Sequence, residues 1–239
     1  MLVCDKLRHF FFISRTMNVK TVRADSDHFI NLATIYKPKE LHYIMKALHL
    51  ILIALLTTVL SCKQGNNQVV TIDTKYGLIE VEVYSNKAPV TAKNFLQLVE
   101  KNSYNPGYFY RVVTPSNQPN NDVKIEVIQG GLFNDSIVAK YPTIIHETTD
   151  KTKIKHLDGV ISMARNEPGS ASTEFFICVG DQPALDFGGK RNPDGQGFAA
   201  FGKVVKGMDV VRKIHQLKES GQYLEEMVEF KINGGKGER

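Results

Sequence analysis

STEFFICVG, Ser172 to Gly180, sets a carboxylate directly before two phenylalanines and ends on a glycine. Side chains of a strand alternate between its two faces. Phe175 and Ile177 therefore share one face, and Glu174, Phe176 and Cys178 share the other. The first face is core and the second is mixed. Taken alone, the stretch reads as a buried strand with a charged residue at its mouth.

The surrounding chain is built in the same way. VVTIDT and GLIEVEVY flank Lys75-Tyr76 as a hairpin, with Ile79, Val81 and Val83 alternating against Glu80, Glu82 and Tyr84. APVTAKNFLQLVEKN carries Ala92, Phe95, Leu96 and Val99 at helical spacing, and Pro89 suits a first helical turn. Strand patterns follow at YFYRVV, VKIEVI, GVISMA, FFICV and FAAFGKVV, then a helix at MDVVRKIHQL and a closing strand at MVEFKIN. Many short strands with two isolated helices predict a closed β-barrel capped by two α-helices.

Composition narrows the class. At 239 residues and 42% hydrophobic content the chain has material for a real core. The net charge of +5 invites a nucleic-acid reading, but residues 62–239 hold 22 Lys and Arg against 21 Asp and Glu, a net of only +1. No basic stripe is left to bind nucleic acid. Cys4, Cys62 and Cys178 are far apart and show neither disulfide nor metal-ligand spacing, so no metal is expected. His146-Glu147 lacks the second histidine of a zinc motif, and Gly188-Gly189-Lys190 lacks the rest of a phosphate loop. Ser162, Ser170 and Ser172 have no nucleophile-elbow context. No cofactor is expected.

MKALHLILIALLTTVLSC, Met45 to Cys62, has a basic start at Lys46, an apolar run from Ala47 to Leu60 and a cysteine after Ser61. That is the plan of a signal peptide, and the run is shorter than the roughly 20 residues a spanning helix needs. The ending VLSC resembles a bacterial lipobox. The resemblance implies cleavage after residue 61, lipidation of Cys62 and anchoring to a membrane of the cell envelope by several acyl chains. Residues 1–44 are expected to be an upstream over-call of the start codon, with a poorly ordered extension as the alternative. Residues 62–68 form a polar linker, 69–234 the folded domain and 235–239 a tail.

Five stretches, FYRVV at Phe109, VIQGG at Val127, GVISMAR at Gly159, ASTEFFI at Ala171 and GFAAFGKVVKGMDVV at Gly197, occur in cyclophilin order. The chain resembles a bacterial cyclophilin-type peptidyl-prolyl cis-trans isomerase over residues 69–234. The resemblance implies an eight-stranded antiparallel barrel capped by two helices, a monomer, and proline-containing polypeptides as substrates. It implies that Arg111 is the catalytic donor, Phe176 the floor of the proline pocket, and Gln129 a ligand of substrate backbone. Ala164 and Arg165 match the pair lining the peptide groove, Leu185 and Val127 match pocket walls, and Phe198 stands where many members carry histidine.

Three departures stand out. Seventeen residues separate Arg111 from Gln129, including the polar TPSNQPNNDV, where the family is shorter. Ala184 replaces a larger aromatic residue. Glu174 replaces a glutamine, and the expectation is that it pairs with Arg111, stays ionised well below neutral pH and orients the guanidinium. On that account Glu174→Gln keeps turnover. Glu126, Ala184 and Glu174 also favour an alternative reading, a weakly catalytic module that binds proline-containing segments or a partner.

Overall fold

The computed structural model describes residues 67–234, together with Lys46 and His49. Apart from Lys46 and His49, the expected signal peptide, the expected lipidation site Cys62, the first 44 residues, most of the linker and the tail lie outside the described residues. The chain divides after Lys63 into two units, and the second of them carries the barrel.

Strands β1 (Gln68–Thr74) and β2 (Gly77–Val83) pair in the expected hairpin, with Thr74 opposite Gly77 across the Lys75-Tyr76 turn. Ile79, Val81 and Val83 are fully buried, while Glu80 and Glu82 stay half-exposed on the other face. The remaining strands are β3 (Gly107–Val113), β4 (Val127–Gly131), β5 (Val160–Met163), β6 (Phe175–Cys178), β7 (Ala199–Lys206), β8 (Glu219–Ser220) and β9 (Tyr223–Gly234). Antiparallel pairing runs β1-β2-β7-β5-β6-β4-β3-β9 and returns to β1 through Ile72 opposite Ile232. Eight strands thus close a barrel without free edges. The two-residue β8 pairs only with β9 as a small hairpin.

Helix α1 (Pro89–Glu100) has Pro89 in its first turn and packs on β7 and β9. Its buried stripe is Thr91, Ala92, Phe95, Leu98 and Val99, and Leu96 lies at the edge of that stripe. Ala88 offers no side-chain cap. Instead Glu147 accepts from Val90 N, Thr91 N and Thr91 Oγ1 at 3.2, 2.8 and 2.7 Å, placing a carboxylate where orphan N–H groups and the helix dipole want one. Two single-turn helices, α2 (Asp135–Val138) and α3 (Thr149–Thr152), add to the two helices expected, and α4 (Met208–His215) packs on β2, β3 and β4.

The two faces of β6 part as alternation requires. Phe175 and Ile177 enter the barrel core, where Phe175 meets Phe95, Tyr104 and Phe109 edge-on with ring centroids 5.8 to 6.0 Å apart. Phe176 and Cys178 point outward into a second apolar cluster with Val113, Ile125, Val127 and Leu185. Burial pushes the Cys178 thiol up from its usual range, so it behaves as a small hydrophobe.

One irregularity positions the site. In the β3–β4 pairing Phe109 faces Gly130 and Arg111 faces Gln129, so Tyr110 is an extra residue on β3. Such a bulge breaks strict alternation. Phe109 and Val112 belong to the barrel core, whereas Tyr110 and Arg111 both line the outer groove.

Candidate active site

A groove of about 680 Å³ runs over the outer faces of β3, β4 and β6, a size suited to a few residues of extended peptide. Arg111, Val127, Gln129, Ala164, Arg165, Glu174, Phe176, Leu185 and Phe198, all singled out from the sequence, line it together.

Its apolar half is a pocket. Phe176 is 4% exposed and is met edge-on by Phe198 at 5.2 Å between centroids, with Val127 and the fully buried Leu185 beside it. Ile125 completes the wall, a residue the sequence pattern did not single out. Ile125 and Val127 alternate around Glu126, whose carbonyl accepts from Val179 N while its side chain stays off the groove. That alternation was the available signal. The long polar loop delivers Ile125 because Gln118, buried at its centre, donates Nε2 to the carbonyls of Thr114 and Ile125, both at 2.8 Å. The smaller side chain of Ala184 packs half-buried against the same cluster.

Beneath the pocket floor lies a chain of buried polar groups. His156 stacks on Phe176 with its ring centroid 6.0 Å away. Its Nε2 is 3.0 Å from Ser162 Oγ and its Nδ1 is 2.9 Å from Asp186 Oδ1. Ser162 is fully buried and His156 is 1% exposed, so this arrangement supports the pocket floor and is closed to substrate.

The polar half centres on Arg111. Gln129 Oε1 accepts from Nη1 at 2.7 Å, and Gln222 Oε1 accepts from both Nε (3.0 Å) and Nη2 (2.5 Å). Gln222 was not foreseen. It sits in the two-residue turn of the β8–β9 hairpin at φ 76°, after Gly221 at φ 58°, a backbone pattern that suits such turns. The turn is held by Gln222 N donating to Glu219 Oε2 at 2.6 Å and Gln222 Nε2 donating to Asn117 O at 2.9 Å. Both partners of Arg111 are neutral, so its full charge faces the groove. Burial lowers its pKa from the usual value, yet a guanidinium remains protonated.

The expected Glu174–Arg111 pair does not form. Glu174 Oε2 accepts from Tyr110 Oη at 2.7 Å, and Oε1 accepts from Leu132 N (2.7 Å) and Thr173 Oγ1 (3.2 Å). The cause is the bulge, which inserts the Tyr110 phenol between carboxylate and guanidinium, while Gln129, opposite Arg111 in register, takes its inner face. Tyr110 Oη in turn accepts from Gln129 Nε2 at 2.7 Å. The connection is therefore a relay: Glu174, Tyr110, Gln129, Arg111. Burial raises the Glu174 pKa above the usual carboxylate value, against the sequence expectation of a depressed one, because the compensating cation is absent. The same carboxylate explains Gly131. A Cβ there would run into Glu174 Oε1, while a Cβ on Gly130 would meet Phe109 Cδ1 and Tyr108 O at 2.8 Å.

Arg165 also differs from a simple groove lining. Asp194 takes its Nη1 and Nη2 at 2.8 and 2.9 Å, Gly197 O takes Nε at 2.8 Å, and the guanidinium lies 5.1 Å over the Phe198 ring. Its side chain is 1% exposed, so it braces Phe198 from behind. Beside the pocket stands a further residue that no sequence motif marked, Arg191.

An outward-facing apolar pocket with a neutral-gripped arginine at its rim, on a closed eight-stranded barrel, defines a peptide-binding site of the kind that can seat a proline. The model of the cyclophilin-type peptidyl-prolyl cis-trans isomerase family matches residues 69–233. The chain belongs to that family. It is 38% identical over 155 residues to a peptidyl-prolyl cis-trans isomerase of Acinetobacter baylyi, covering 64% of this chain and 75% of the relative. It is 36% identical over 146 residues to peptidyl-prolyl cis-trans isomerase B of Escherichia coli, covering 61% and 82%. A crystal structure of a Cryptosporidium parvum cyclophilin-type isomerase superposes with a TM-score of 0.57 at 20% identity, covering 72% of this chain and 99% of the other. The same protein crystallised in the presence of the dipeptide Ala-Pro gives 0.55 at 22% identity, covering 71% and 100%. The chain is thus a cyclophilin-type peptidyl-prolyl isomerase.

Proposed function

We propose that this isomerase acts on Xaa-Pro bonds of polypeptides folding in the bacterial cell envelope, held to a membrane by lipid on Cys62, with Arg111 as its catalytic group. Rotation about an Xaa-Pro bond must break amide resonance over a barrier of about 20 kcal/mol. Catalysis needs no covalent intermediate. The proline ring seats on Phe176 between Ile125, Val127 and Leu185, and the preceding residue lies along Ala164. As the amide twists, its nitrogen becomes pyramidal and more basic, and a fixed guanidinium that binds the twisted form better than the planar one lowers the barrier.

The observation that carries this reading is the grip on Arg111. Two neutral glutamines orient the guanidinium without neutralising it, which suits preorganised electrostatic stabilisation better than an ion pair would. Glu126, one of the three features favouring a binding-only module, has its side chain off the groove, and Glu174 leaves Arg111 uncompensated. Turnover in a protease-free exchange assay on Ala-Pro peptides tests the assignment, because an Arg111→Ala variant with wild-type turnover overturns it.

The envelope location rests on the Met45–Cys62 stretch and its lipobox ending. Metabolic palmitate labelling with intact-mass analysis tests it. Label lost on Cys62→Ala supports anchoring, whereas an unlabelled product beginning at Met1 overturns it.

A further inference from the structure

Three arginines line the groove, and they differ in how their charge is met. Arg165 is neutralised by Asp194. Arg111 is held by glutamines. Arg191 has no carboxylate within 4 Å among the described residues. Its Nη1 donates to Gln118 Oε1 at 2.8 Å and to Val123 O at 2.7 Å, and its backbone N donates to Ala184 O at 3.1 Å. These contacts clasp the long polar loop to the segment just after Leu185. Its Nε and Nη2 have no partner among the described residues, and the side chain stands half-buried on the groove wall.

A structural clasp does not need a charge here. Both acceptors are neutral, and a neutral amide donor could serve them. Keeping a partly desolvated cation without a counter-ion is costly, and Arg111 adds like-charge repulsion, so burial first and Arg111 second lower the Arg191 pKa. An anion reaching Nε and Nη2 relieves both terms. Of the two carboxylates that also line the groove, Asp135 and Glu174, neither is within 4 Å of Arg191, and Glu174 is taken up by Tyr110 and Leu132 N.

We propose that Arg191 is a specificity determinant of the isomerase, reading a carboxylate side chain, Asp or Glu, on a substrate residue within two positions of the bound proline. The inference rests on the isomerase reading of the groove.

The test compares peptides carrying Glu, Gln or Lys at each of the two positions before and the two after a single proline. Isomerisation of each is measured by exchange spectroscopy, and its affinity by titration, with the purified full-length chain. At one position Glu should exceed Gln by about fivefold in kcat/KM at low salt, the scale of one accessible ion pair, with Lys below both. The excess should shrink in 0.5 M salt. It should fall to near one in Arg191→Gln and persist in part in Arg191→Lys. A Glu-to-Gln ratio near one at all four positions overturns the proposal, as does a ratio unchanged in folded Arg191→Gln. Should that variant lose its melting transition, the Lys variant and the salt series decide, and a salt-independent Glu preference counts against the proposal. If no peptide turns over but binding still favours Glu through Arg191, the specificity stands and the catalytic reading fails.

Discussion

Tyr110 donates its phenolic hydroxyl to Glu174 at 2.7 Å and accepts Gln129 Nε2 at the same distance, so the carboxylate fixes which way the whole relay points. With the Tyr110 proton committed to Glu174, its oxygen lone pair faces Gln129. The Gln129 amide must then turn its nitrogen to the tyrosine and its oxygen to Arg111 Nη1. Burial and the neighbouring carboxylate raise the Tyr110 pKa well above its usual value, which keeps the phenol a donor throughout the accessible pH range.

Tyr110→Phe removes the acceptor that orients Gln129. The barrel should remain folded, because the ring and its contacts with Phe133 and Tyr223 are kept. Loss of a buried hydrogen bond to a charged group costs about 1.5 to 3 kcal/mol, and part of it should appear as a several-fold lower kcat with little change in KM. Single-turnover and steady-state rates on one peptide, with thermal melts, check this. An unchanged kcat would mean Gln129 needs no second partner.

Glu174→Gln reverses the outcome expected from sequence alone. Leu132 N is a fixed donor, so the new amide must turn its oxygen to Leu132 and its NH2 to Tyr110. Tyr110 then has to send its proton toward Gln129, and the relay inverts to face Arg111 with a donor. Turnover should fall, with the fold preserved by circular dichroism. Equal or higher turnover would mean that the charge of Glu174 does not set the direction of the relay.

The same relay sets a pH dependence. Glu174 is an acid whose folded pKa lies above its unfolded value near 4.5, so the native state holds that proton more tightly. Stability from this group is therefore greatest below about 4.5 and is lost as pH rises through the folded pKa. Activity runs the other way, since protonation removes the acceptor that Tyr110 uses. Wild-type kcat should decline on acidification at a pH above 4.5, whereas Glu174→Gln should show no such step. Parallel pH profiles for the two proteins would refute the linkage.

The barrel was legible because its signals are local. Alternation in Ile79, Val81 and Val83, the two-residue turn at Lys75-Tyr76 and Pro89 at a helix start each constrain neighbouring residues only. Residues lining the groove were legible through motif order. The relay was not, because it depends on one inserted residue at Tyr110 that shifts two side chains to the same face, and pattern reading assumes unbroken alternation. Gln222 was hidden for a different reason. It lies 111 positions from Arg111 in a short hairpin whose sequence, SGQY, carries a turn signal at Gly221 but nothing that points to arginine.

Phe176→Ala tests the pocket floor. The ring is 4% exposed, stacks on His156 and is buttressed by Phe198, so its removal opens a cavity beside a buried polar chain. A cost of roughly 3 to 5 kcal/mol in stability is expected, along with a large rise in KM. Phe176→Leu should recover most of the stability and only part of the binding, because it fills volume without offering a flat face to the proline ring. Denaturant unfolding and peptide titration separate the two effects. Unaltered peptide affinity in a folded Ala variant would place the proline elsewhere.

Gln222→Ala is the sharpest test of how Arg111 is held. Gln222 touches two guanidinium nitrogens from the side opposite Gln129, and its own amide is fixed by Asn117 O. Removing it leaves Nη1 anchored and the rest of the fork free to rotate, so the charge stays in the groove but loses its aim. Stability should fall by about 1.5 to 3 kcal/mol, the scale of hydrogen bonding to a charged group, while the turn is kept by its backbone bonds to Val112 and Glu219. The rate should suffer more than binding: kcat lower by about ten- to thirtyfold, the equivalent of one lost orienting contact to a charge, with KM within about twofold. Gln222→Asn, which tolerates the positive φ but is one methylene shorter, should fall between the two. If Gln222→Ala instead raises KM and leaves kcat alone, the hairpin contributes to binding peptide and the aim of Arg111 comes from Gln129 alone.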